Sequence, residues 1–209
     1  MYGAVFWHVL RRRAVTAHNF FAILFRQKLI RRWSLMRNVM VDTLAAHTAE
    51  VTAVAHMLAL IGNKYFGKNY DPGRVALLAL YHDASEVYTG DLPTPVKYFN
   101  FDMRRAYSEI EKSAAHTLLS KLPPELQSEY APLLLPEKQD SDAELWPLVK
   151  AADKLCAYIK CVEEEKCGNA EFREARKTLQ ASLISNPLPE LHKFMEDYLP
   201  AFELTVDEL

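Results

Sequence analysis

Cysteine is scarce: the 209 residues contain three, Cys156, Cys161 and Cys167. An odd number gathered in one stretch argues against a disulfide framework and fits the reduced thiols of an intracellular protein. Their spacing does not suit zinc either. Charge of one sign is also lacking. With 25 basic and 27 acidic residues interspersed, the formal net charge is −2, which offers no phosphate-attracting surface and argues against a nucleic-acid polymer as partner. No apolar run approaches the ~20 residues that cross a bilayer. The run Ala4 to Leu10 precedes Arg11, Arg12 and Arg13, the reverse of the basic-then-apolar order of an export signal. These absences lead to the expectation of a cytoplasmic protein with no membrane partner. Residues 1–15 are expected to be a poorly ordered extension, and residues 16–209 a single domain large enough for a proper core. The alternation that marks half-buried strands is nearly absent, and no internal repeat or low-complexity tract occurs.

What remains is helical periodicity, so the chain reads as an all-α bundle. The spacing predicts a first helix over Thr16 to Arg31, with Phe20, Phe21, Leu24, Phe25 and Leu29 as its buried stripe. A second is expected over Asp42 to Ile61, with His47, Val51, Val54, Ala55 and Leu58 facing inward and a stop at Gly62-Asn63. Asp71-Pro72 is a start signal, with Asp as cap and Pro at the first helical position, for a third helix reaching about Tyr88. Helices over Asp102 to Lys121 and Pro124 to Tyr130 follow. A capping box, Ser141 with Glu144, is expected to open a long helix ending near Gly168. Two last helices span Ala170 to Ile184 and Pro189 to Tyr198.

The third segment carries Leu80-Tyr81-His82-Asp83-Ala84-Ser85-Glu86-Val87. A carboxylate in such an apolar stretch is costly unless an ion or hydrogen bonds compensate it. Glu86 lies one turn beyond the His82-Asp83 pair, on the same face, where it could serve the chemistry. His47 faces inward on its own helix, and Asp153 lies beside an apolar stripe between small residues on the long helix. His47, His82, Asp83 and Asp153 thus form a two-imidazole, two-carboxylate set drawn from three helices. Such mixed ligation suits one divalent transition-metal ion, Co²⁺, Mn²⁺, Ni²⁺, Fe²⁺ or Zn²⁺, over Mg²⁺ or Ca²⁺. Four protein ligands leave open positions for water and substrate, and phosphoester hydrolysis follows from that chemistry. His56, His116, His8, His18 and His192 receive no role.

The order of His47, then His82-Asp83, then Asp153 resembles the pattern that names the HD-domain superfamily of phosphohydrolases. The runs Arg31-Arg32-Trp33-Ser34-Leu35-Met36-Arg37-Asn38 and Tyr81 to Asn100 are similar to those of bacterial 5′-deoxynucleotidases. The resemblance extends from about Thr16 to the C-terminus and implies a metal-dependent HD-domain helical bundle. The implied enzyme removes phosphate from deoxyribonucleoside 5′-monophosphates and forms a homodimer. It further implies that Glu86 is the catalytic proton-handling group. Arg32 and Trp33 would contact substrate, the guanidinium an anionic or polar edge and the indole the deoxyribose. His47 and Asp83 would touch substrate as well as metal. In the loop Asp91, Leu92, Pro93 and Thr94, Asp91 would accept from the sugar 3′-hydroxyl and Thr94 would donate to phosphate. One departure stands out: relatives usually place a small hydroxyl residue and an acid before the first ligand, where this chain has Ala45-Ala46. Losing outer partners of a ligating imidazole weakens metal binding by about 10–100-fold.

Two alternatives share the fold. A hydrolase of a triphosphate or alarmone would keep the metal, but such substrates need several Lys or Arg groups and His82 to Thr94 has none. A nucleotide-sensing module without turnover would explain Ala45-Ala46, and retention of Glu86 counts against it.

Overall fold

The computed structural model describes residues 18–97, 99–135 and 142–209, with backbone alone at Thr94. The expectations for residues 1–15, for a helix start at Thr16 and for the Ser141 cap lie outside the described residues. Ten helices are described: α1 Phe20–Leu24, α2 Leu44–Tyr65, α3 Pro72–Tyr81, α4 Glu86–Thr89, α5 Thr94–Lys97, α6 Phe101–Leu119, α7 Pro124–Leu134, α8 Trp146–Lys166, α9 Arg173–Ile184 and α10 Pro189–Tyr198. Among the described residues there is no strand, only an isolated bridge between Arg31 and Thr43. The all-α expectation holds.

Helices α2, α3 and α8 make the centre, and α10 packs along α2. Val51, Ala55 and Leu58 of α2, Val75 and Leu78 of α3, and Leu148 and Leu155 of α8 are fully buried in one apolar cluster. Helix α2 begins where the Thr43 hydroxyl accepts the Ala46 N–H at 3.2 Å. Asp42, expected to start this helix, instead accepts from the Arg32 guanidinium. Helix α3 begins as read, Asp71 accepting the Arg74 N–H at 3.0 Å with Pro72 in the first turn. By length and composition α2 is apolar enough to cross a membrane, which the expectation of no such run missed. It is instead a central helix of the bundle, with its inward face covered by α3, α8 and α10.

Three expectations are corrected. Helix α1 is five residues long and continues as a 3-10 turn over Phe25–Leu29 before the chain extends at Ile30. Phe20 and Leu24 are buried, but Phe21, Phe25 and Leu29 are exposed, Phe25 at 63%. A 3-10 turn advances 120° per residue, so from Phe25 onward the stripe counted on an α-helical wheel rotates away and Gln27 is buried in its place. The third helix ends at Tyr81, seven residues short of Tyr88, and resumes only as α4. Helix α8 opens at Trp146, with Asp142 accepting the N–H groups of Leu145 and Trp146. It ends at Lys166, and Gly168 just beyond, at φ +83°, supplies the left-handed cap.

Leu155 is fully buried two residues beyond Asp153. We expect Leu155→Ala to lower unfolding stability by about 2–5 kcal/mol. Chemical denaturation checks this, and a loss below about 1 kcal/mol would contradict a close-packed α2–α8 contact.

Candidate metal centre

The end of α3 determines where His82 and Asp83 point. The His82 Nδ1 lies 2.7 Å from the Ala79 carbonyl oxygen, and a carbonyl only accepts, so Nδ1 is a donor and Nε2 is the ring nitrogen left to face the cluster. From there the ladder tightens to i→i+3 bonds: Ala84 N–H to Tyr81 O, Glu86 N–H to Asp83 O and Tyr88 N–H to Ser85 O. In that geometry residues three apart eclipse one another, which stacks Glu86 over Asp83. Gly90, at φ +71°, turns the chain out of α4 into the loop that follows.

His47 from α2, His82 and Asp83 from the end of α3, and Asp153 from α8 converge, with one potential ligand atom from each within 4.8 Å of all the others. His47 Nε2 is 2.9 Å from Asp153 Oδ1 and 4.0 Å from Asp83 Oδ2. Asp83 Oδ2 is 3.0 Å from His82 Nε2, yet that buried nitrogen has no aligned hydrogen-bond partner. Two imidazole nitrogens and two carboxylates brought to one centre fit a divalent ion of borderline softness. The side chains grade from His47, 2% exposed, to Asp153, 43% exposed, so the cluster opens to solvent on the α8 side. Water and substrate would reach a bound ion from that side.

Arg32 reaches the same point from the segment before α2. Its Nε donates to Asp42 at 3.2 Å, and its Nη1 is 3.9 Å from Asp83 Oδ2. Asp42 is the residue the sequence reading missed: Thr43 caps the helix and the Asp42 carboxylate goes to Arg32 instead. Trp33 follows with φ +55°, a conformation costly for a bulky residue, its ring 5.2 Å from that of Phe172. Asp91 in the loop before α5 is close enough to feel both Arg32 and Asp83, and Leu92 and Pro93 beside it are half-buried. The Thr94 side chain, expected to donate to phosphate, lies outside the described residues. Cys156 and Cys161 are buried and Cys167 exposed, all as free thiols.

The family profile described as 5′-deoxynucleotidase YfbR-like matches residues 19–202. This chain belongs to the YfbR-like family. It is 50% identical to a 5′-deoxynucleotidase of Vibrio parahaemolyticus over 191 residues, covering 91% of this chain and 97% of that protein. Identity is 51% to the 5′-deoxynucleotidase YfbR of Escherichia coli O127:H6, covering 91% and 95%. In three dimensions the fold matches an HD-domain phosphohydrolase of Listeria innocua with a TM-score of 0.76 at 26% identity, covering 88% of each chain. A cyanophage HD phosphohydrolase solved with dA and one catalytic Zn²⁺ shares the fold at a TM-score of 0.59 and 19% identity, covering 88% of this chain and 96% of that one.

Within this YfbR-like site, Glu86 is buried, and its Oε2 has no hydrogen-bond partner. Burial, then the charges of Asp83 and Asp91, push its carboxyl up to about 9, against the pull of Lys97 and Arg32. Burial works against a charged His82, but the Asp83 and Asp153 carboxylates and the Ala79 carbonyl outweigh it and raise the imidazole to about 9. Asp83 moves the other way: burial disfavours its charge, and His82, His47 and Arg32 together hold it well below the usual carboxylate range. The cluster therefore recruits positive charge, whether a proton or a metal ion.

The folded protein keeps a proton on Glu86 up to about pH 9, whereas an unfolded glutamate releases it near 4.5. Stability from this group is present below about pH 4.5 and falls as pH rises toward 9. We expect Glu86→Gln, which cannot titrate, to gain stability over the parent at pH 8 but little at pH 5 in chelator-treated protein. Equal melting shifts at both pH values would show that Glu86 is not held protonated.

Proposed function

We propose that the chain hydrolyses deoxyribonucleoside 5′-monophosphates to deoxynucleoside and inorganic phosphate. The observation that carries this reading is the convergence of His47, His82, Asp83 and Asp153 beneath Arg32, in a family whose relatives are named 5′-deoxynucleotidases. A divalent ion held by these four residues, with Co²⁺, Mn²⁺, Ni²⁺, Fe²⁺ and Zn²⁺ all suited to the donor set, would acidify water and draw charge from a phosphoryl oxygen.

The chain's own groups do the rest. Arg32, braced by Asp42, orients the phosphate and offsets its charge. Glu86, stacked over Asp83 and able to keep a proton through neutral pH, holds or transfers the proton at the water or at the departing 5′ oxygen. Asp91 accepts from the sugar 3′-hydroxyl, Thr94 donates to phosphate, and Leu92 and Pro93 line the sugar. His47 and Asp83 border the substrate on the ligand side. Trp33, held in its unusual conformation against Phe172, packs on the deoxyribose and leaves no room for a 2′-hydroxyl. The same reading includes a cytoplasmic homodimer, and the exposed Phe21, Phe25 and Leu29 on one short segment support the second copy.

Phosphate release from a panel of deoxy- and ribonucleoside 5′-monophosphates, with each divalent ion, tests the reading. We expect release from dAMP at least about tenfold faster than from AMP, abolished together with calorimetric metal binding by Asp83→Ala. Glu86→Gln should bind metal and nucleotide but turn over about 10²–10⁴-fold more slowly. Reaction with triphosphates alone would reject the substrate assignment, and no release from any nucleotide would favour a sensor.

A further inference from the structure

Away from the ligand cluster, Glu164 near the C-terminal end of α8 is 1% exposed and accepts from four groups at once. The Val39 N–H lies 2.9 Å from Oε2 and 3.2 Å from Oε1, and the Met40 N–H lies 3.2 Å from Oε1. Asn169 Nδ2 donates to Oε2 at 2.7 Å, and the Lys160 ammonium donates to Oε1. The donors also hold the same segment directly: Lys160 Nζ is 2.7 Å from the Met40 carbonyl and Asn169 Nδ2 is 2.7 Å from the Arg37 carbonyl. Glu171 takes the Arg37 N–H at 3.0 Å. Because every partner of Glu164 is a donor, only an ionised carboxylate satisfies them all. Burial opposes that charge, but Lys160 and the N–H groups of Val39, Asn169 and Met40 hold the carboxyl down to about 2.

What this cluster grips is the far end of the segment that carries Arg32 and Trp33. The near end is pinned by the bridge between Arg31 and Thr43 and by the Arg32 N–H to the Asp42 carbonyl at 3.0 Å. Asp153, Lys160 and Glu164 stand at i, i+7 and i+11, one face of α8, with the first and last about 16 Å apart along the axis. One helix face thus carries a ligand of the centre at one end and the clamp on the substrate segment at the other.

We propose that Glu164 is a positioning residue for nucleotide recognition: by gathering the amides of Val39 and Met40 it holds Arg32 and Trp33 in place, and so sets substrate affinity and the preference for deoxyribose. It touches neither substrate nor ligand. A wall that excludes one hydroxyl must be stiff, because retreat by about 1 Å admits the extra oxygen or misaligns the phosphate. The inference rests on the proposed contact of Arg32 and Trp33 with the nucleotide.

The test compares Glu164→Gln and Asn169→Ala with the parent by kcat and KM on dAMP and AMP, calorimetric metal affinity and thermal unfolding. The glutamine turns an amide N–H₂ toward donors, while Asn169→Ala removes one bond to Glu164, one to Arg37 and the cap on the Glu171 N–H, and carries the test should the first variant fail to fold. We expect KM for dAMP to rise and the preference over AMP to fall, each about tenfold, with kcat within about threefold and metal affinity within about twofold. Glu164→Asp should recover part of the loss. Folded variants with the parent's KM and preference would overturn the proposal, as would a proportional fall in kcat, metal affinity and folded fraction, which marks a merely structural role. Arg32→Ala and Trp33→Ala serve as references: if neither alters KM or preference, the nucleotide contact fails and the clamp fails with it. If they do and the clamp variants do not, the clamp alone falls.

Discussion

Two carboxylates and two imidazoles cannot share a half-buried space 4.8 Å across without positive charge to compensate them. That constraint organises much of the molecule. Asp83 is held ionised by His82, His47 and Arg32, and Glu86 nearby keeps its proton because burial, and then the charges of Asp83 and Asp91, disfavour its ionisation. A cation placed among the four groups would relieve both Asp83 and Glu86, which links the proposed metal to the proposed proton carrier through ordinary electrostatics. The two carboxylates thus take opposite roles because their surroundings differ, as acid and base assignments in enclosed sites generally do.

The apolar bundle supplies rigidity, and the segments at its edge carry the groups proposed to select the substrate. Helices α2, α3 and α8 pack through Val51, Leu58, Leu78 and Leu155, and each contributes ligands from a face adjoining that core. Arg32 and Trp33 sit on a segment with no regular structure. Its order comes from hydrogen bonds at its two ends, the bridge at Arg31 and Thr43 and the Glu164 cluster. Such a segment can be held stiff only if its backbone amides find buried acceptors, and Glu164 provides one. Division of labour between a packed frame and pinned loops is what lets one fold serve many substrates.

Legibility varied with the range of the interactions involved. Asp71-Pro72 was read correctly as a helix start because a cap is a contact within four residues. His47, His82, Asp83 and Asp153 were gathered in advance because each combined an inward register with a ligand side chain. The end of α3 was missed because the imidazole of His82 takes up the Ala79 carbonyl, a competition that no periodicity count contains. The stripe failed at Phe25 and Leu29 for a related reason: the switch to a 3-10 turn changes the angle on which the count depends. Asp42 and Glu164 were missed because their partners, Arg32 at ten residues and Val39 at 125, are distant in the chain.

From the amino acids alone came the helical class, the ligand types, their order along the chain and the class of chemistry they suit, since these depend on local registers and on side-chain identity. Only the folded chain decided that the four ligand atoms meet at one centre open on the Asp153 side and that Arg32 is braced by Asp42 over Asp83. It alone showed that α8 holds the segment carrying Arg32 and Trp33 through Glu164. Those outcomes are distances between residues remote in sequence, and packing alone determines them.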